Sequence, residues 1–66
     1  MSKTGQTLEK LPQNIRDHIE NLKKSYQYEQ LKHDARIASG SYTLALYQMG
    51  LVTENEKRLL FCYITV

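Results

Sequence analysis

The sequence predicts an all-α chain of three helices, with a long central helix and a C-terminal helical hairpin, associated into a dimer or higher oligomer. Three observations carry that expectation. An apolar stripe begins beside Pro12, a longer stripe in a heptad pattern runs from Tyr28 to Met49, and a helix-start signature, Thr53-Glu54-Asn55-Glu56, follows shortly after Gly50. Sixty-six residues make one domain, and a chain of that size buries only about 60% of the surface its unfolded form exposes, so its core is marginal. Small domains offset this with disulfides, a structural metal or a partner subunit. Cys62 is the sole cysteine, and His18 and His33 are the only histidines. That leaves no intrachain disulfide and no ligand pair spaced to close a zinc site. Association with another chain is the remaining source of burial.

Residues 1–10, MSKTGQTLEK, are mostly polar with one glycine. They read as a frayed or disordered N-terminal segment, leaving 11–66 as a single helical domain. Pro12 has no N–H to lose and its φ is already helical, which suits the first position of a helix running to about Ser25. Leu11, Ile15, Ile19, Leu22 and Tyr26 lie 4, 4, 3 and 4 residues apart and line one face of it. Arg16, Asp17, Glu20, Asn21, Lys23 and Lys24 occupy the other, with Glu20 four residues before Lys24 for a weak ion pair.

The phase then breaks, and Tyr28, Leu31, Ala35, Ala38, Tyr42, Ala45 and Met49 follow at spacings of 3, 4, 3, 4, 3 and 4. This heptad predicts one helix from about Gln27 to Met49. It passes through Ser39-Gly40-Ser41, a triplet that would otherwise read as a turn and leaves a break at Gly40 as the alternative. In the heptad frame Gly40 falls opposite the stripe, where it costs about 1 kcal/mol in helix propensity without opening a hole in the core. Gly50 is placed to end the helix in a left-handed conformation, with Leu51 packing back on Leu46. Thr53 and Glu56 then form a capping box, and Glu54 and Glu56 sit in the first turn where the helix dipole favours acids. The third helix runs from Glu54 to about Ile64.

The two halves of the central helix differ. Off the stripe its first half carries Glu29, Gln30, Lys32, His33, Asp34 and Arg36, whereas its second half adds Leu44, Leu46, Tyr47 and Leu51. A helix apolar on all sides must be buried on all sides. At 1.5 Å per residue the central helix would span ~33 Å, against ~20 Å for the first and ~17 Å for the third. One short helix cannot wrap the apolar half, so a second copy is expected to cover it through Leu44, Tyr47, Leu51, Phe61 and Ile64.

Little in the chain suggests chemistry. Cys62 lies in the apolar run LLFCYI, with no cation nearby in sequence to lower its thiol pKa, and is expected to be buried and inert. His18 and His33 fall on polar faces. No Gly-rich phosphate loop, nucleophile elbow or carboxylate pair in an apolar context is present. The sequence therefore points to a non-enzymatic protein with no cofactor, no metal and no small-molecule substrate. Nine Lys and Arg against seven Asp and Glu give a net charge of only +2, too weak a field to imply nucleic-acid binding by itself. The strongest local charge feature is the corner from Lys23 to Arg36, where Lys23, Lys24, Lys32, Arg36, two tyrosines and His33 cluster, diluted by Glu29 and Asp34.

The function this predicts is a small regulatory or adaptor protein that self-associates and binds another protein. Arg16, Lys23, Lys24, Tyr28, Lys32 and Arg36 supply the partner surface. The alternative is a DNA- or RNA-binding regulator that grips phosphates with the same corner. The hairpin around Gly50 does not read as a DNA-binding helix-turn-helix, because its second helix is largely apolar and begins with Glu54 and Glu56. The opening residues lack the apolar stretch of a signal peptide, and the longest apolar run, Leu59 to Ile64, is far below spanning length. A cytoplasmic location with no membrane contact is the expectation.

Overall fold

Pro12 precedes a helix, Gly50 ends one, and Thr53 caps the next. The computed structural model describes residues 3–66, and over them the chain forms α1 (Lys3–Glu9), α2 (Gln13–Tyr26), α3 (Lys32–Gln48) and α4 (Glu54–Ile64). The expected count of three helices is thereby corrected to four. The added helix is α1, in the segment read from sequence as frayed; Met1 and Ser2 lie outside the described residues. Its periodicity is too short to be seen in isolation. Tertiary contacts hold it: Thr7 is buried, Lys10 Nζ donates to Glu56 Oε1 at 2.6 Å, and Leu8 and Leu11 join the core.

The stripe of α2 buries as its spacing predicts, with Leu11, Ile19 and Leu22 in the core and Ile15 packed against it. Glu20 forms no ion pair with Lys24. It accepts a hydrogen bond from the Tyr63 hydroxyl instead. The chain turns through residues 27–31, so the central helix starts at Lys32 rather than Gln27. Tyr28 and Leu31, the first two positions of the heptad, therefore fall in a turn. From Lys32 onward α3 is unbroken through Ser39-Gly40-Ser41.

Its end is a complete Schellman motif. Gly50 adopts φ 78°, its N–H donates to the Tyr47 carbonyl at 3.0 Å, and Leu51 N–H donates to the Leu46 carbonyl at 3.0 Å. The capping box of α4 is also formed. Glu56 N–H donates to Thr53 Oγ1 at 3.1 Å, while Glu56 Oε1 accepts from Thr53 N–H at 2.8 Å.

Helices α2, α3 and α4 pack pairwise around one core, and α1 lies against α4. Leu11, Ile19, Leu22, Leu46, Val52, Leu60 and Ile64 form that core. Of the residues expected to meet a second copy, Ile64 belongs to it and Leu51 packs against it. Ile64 is fully buried, and Leu51 is half-buried against the cluster. The cause is α2, which packs on α4 as well as on α3, so the C-terminal apolar surface receives cover from two helices of its own chain.

Candidate protein-docking site

The face of α3 that enters the core shares only Ala35 fully with the heptad stripe, whose Tyr42 is partly buried against it. Ala35, Ser39, Thr43 and Leu46 are its buried residues, whereas Ala38 and Met49 of the stripe are exposed. Ser39 has no exposed surface at all. A buried hydroxyl is costly unless it is bonded, and both hydroxyls here are bonded locally. Ser39 Oγ donates to the Ala35 carbonyl at 2.6 Å and Thr43 Oγ1 to the Ser39 carbonyl at 2.8 Å. Each side chain thereby presents its small apolar part to the core, and α3 can sit close to its neighbours.

Larger apolar side chains of α3 point outward. Ile37 is 58% exposed, Leu44 42% and Tyr47 41%. Beside them a groove of about 460 Å³ opens between α3 and α4, lined by Gly40, Thr43, Leu44, Lys57, Arg58, Phe61 and Cys62. A Cβ at Gly40 would meet the Phe61 ring at 3.8 Å, an ordinary contact, so α3 and the Phe61 ring lie close together at the groove floor. At the rim the Lys57 ammonium lies 5.4 Å from the Tyr47 ring centroid, and Arg58 pairs with Glu54 at 3.3 Å.

Of the five residues expected at an oligomer interface, Leu44, Tyr47 and Phe61 face this groove or its edge, whereas Leu51 and Ile64 turn into the core. Cys62, expected to be buried, is exposed. The run LLFCYI is apolar throughout, but a helix can turn only part of such a run inward, and Leu60 and Ile64 take the core positions. Sequence reasoning missed Ile37, Gly40, Lys57 and Arg58. Ile37 stands seven residues before Leu44, two helical turns along one face, and that spacing was the available signal.

The basic corner is divided. Lys23 Nζ donates to the Tyr63 carbonyl at 2.7 Å and lies 4.3 Å from that ring's centroid, so it serves the packing of α2 on α4. Arg16 is half-buried and donates to Gln13 at 2.7 Å. Lys24 and Tyr28 are exposed. Lys32 and Arg36 do converge, in a cleft of about 270 Å³ shared with Tyr26, Glu29 and His33. There Lys32 sits 3.8 Å from Glu29 and 5.3 Å from the Tyr26 ring centroid.

The groups with shifted pKa values hold helices together. Tyr63 is pushed up to about 12, first by its hydrogen bond to Glu20 and then by burial. Burial also raises Tyr42, whose ring lies 4.1 Å from that of His18. Glu56 is lowered, chiefly by the Lys10 hydrogen bond and then by the Thr53 N–H. Among the described residues no group of three or more His, Cys, Asp or Glu side chains could hold a metal ion, and no helix is long and apolar enough to cross a membrane. No protein-family model, curated protein or solved structure matches the chain.

Proposed function

We propose that this chain is a non-enzymatic regulatory or adaptor protein that acts through protein contacts made by the α3–α4 face, including self-association. One observation carries the reading: among the exposed large apolar side chains, Ile37, Leu44 and Tyr47 stand together on the outer side of α3, next to a groove with apolar walls. Contiguous apolar surface of this kind marks interaction sites in small proteins. The outer stripe Ile37, Ser41, Leu44 and Gln48, at spacings of 4, 3 and 4, has the form of a helix-pairing seam, and Leu44 borders both it and the groove.

Sedimentation tests self-association. The chain is expected to associate at micromolar concentration and to become monomeric when Ile37 is replaced by Glu, with its helix content unchanged. A chain that is monomeric at every accessible concentration removes self-association from the reading.

The convergence of Lys32, His33 and Arg36 beside Tyr26 supports a second reading, a nucleic-acid contact. Retention on duplex DNA that falls steeply with salt, and disappears in K32A/R36A, would favour it over the first.

A further inference from the structure

The α3–α4 groove combines apolar walls with a cationic rim, and we propose that its occupant is an acidic amphipathic helix of another protein. This rests on the reading of the α3–α4 face as a protein-docking surface and names the chemistry of the partner.

The floor is set by Gly40 and Thr43, the walls by Leu44, Phe61 and Cys62. The Thr43 hydroxyl already donates to the Ser39 carbonyl, so the floor presents no donor in need of a partner and favours an apolar anchor. The space of about 460 Å³ admits large side chains from one helix face. All described regular structure is helical, so no sheet edge exists to receive an extended peptide, and the mode left is a helix in a groove read by anchors at i, i+3 or i+4, and i+7.

Charge selects the partner. Lys57 has no carboxylate within ion-pair distance among the described residues and rests over Tyr47. Arg58 is paired only with exposed Glu54, at 3.3 Å, and surface pairs of that kind are weak enough to exchange for a ligand carboxylate. Two copies meeting groove to groove would bring these cations together, which argues against a second copy as occupant. The apolar walls suit neither phosphate nor sugar.

The probe is a fluorescent amphipathic helical peptide with Leu at the anchor positions and Glu on the flanks, compared with the same peptide carrying Lys in place of Glu. The acidic peptide is expected to bind at least about tenfold more tightly than the basic one. Gly40→Leu fills the groove from a floor position where a Cβ already touches the Phe61 ring and is expected to weaken binding by about tenfold or more, with its melting curve checking the fold. K57E/R58E, at surface positions, is expected to reverse the peptide preference. Equal binding of the two peptides, or undiminished binding to Gly40→Leu, overturns the proposal. So does a dimer that Gly40→Leu dissociates, which assigns the groove to a second copy, or duplex DNA binding that K57E/R58E abolishes. Ile37 does not line the groove, so self-association lost in Ile37→Glu while the acidic peptide fails to bind sinks this inference alone.

Discussion

The two faces of α3 reverse the usual division of side chains. Inward it sends Ala35, Ser39, Thr43 and Leu46; outward it sends Ile37, Leu44 and Tyr47. If transfer free energy alone set the orientation, the larger apolar groups would be inside, since each fully buried side chain of that size is worth about 1.5–3 kcal/mol. The inner face is selected for thinness. A helix flanked by α2 and α4, both of which must also touch each other, has room for small residues whose hydroxyls bond back to their own helix. The outer face then holds apolar area that the fold does not use, and that area is available to a partner.

Substitutions that break this contrast should differ in size. The largest effect is expected for Leu46→Ala, which empties a fully packed inner position and should cost about 3 kcal/mol in chemical denaturation. Next is Ser39→Leu, which would improve the inner face by hydrophobicity and damage it by volume. A loss of about 2 kcal/mol is expected, and a gain in stability would refute the claim that thinness decides the face.

The ends of α4 show the same difference between a committed and a free surface, because its N-terminus is locked to α1 through Glu56. Glu56→Ala should cost about 1 kcal/mol through loss of the capping box and the Lys10 contact. Its folded pKa is depressed, so its contribution is complete above the ordinary value of 4.5 and is lost as pH falls through the folded value. The melting temperature of the wild type should therefore fall more on acidification below pH 4.5 than that of the variant. The smallest effect on stability belongs to the outer face: Ile37→Ser should change the unfolding free energy by less than about 0.5 kcal/mol while lowering self-association in sedimentation.

Helix punctuation was legible because it is local. Pro12, Gly50 and the Thr53–Glu56 box act on backbone groups within a few residues, and each marks a helix end, Pro12 as the cap one residue before α2 rather than as its first residue. The uninterrupted course of α3 across Ser39-Gly40-Ser41 was legible for the same reason, since the pattern on both sides is helical. The candidate site was legible only in part. Leu44, Tyr47 and Phe61 were found from excess apolarity, whereas Leu51 and Ile64 were assigned to the same surface because nothing in one dimension distinguishes an apolar residue facing the core from its neighbour facing out. Lys57 and Arg58 carried no signal until α4 was laid beside Gly40.

Sequence alone determined that the described chain is helical, where α2 starts, and where α3 gives way to α4, through caps and periodicities that need no distant partner. Tertiary structure decided three things: that Lys3–Glu9 is a helix, that α3 turns Ser39 and Thr43 inward, and that Ile64 and Cys62 end on opposite sides of the surface. In each case the deciding interaction joins residues far apart in the chain, such as Lys10 with Glu56 or the packing of α2 on α4, and its strength depends on a distance that local pattern does not encode.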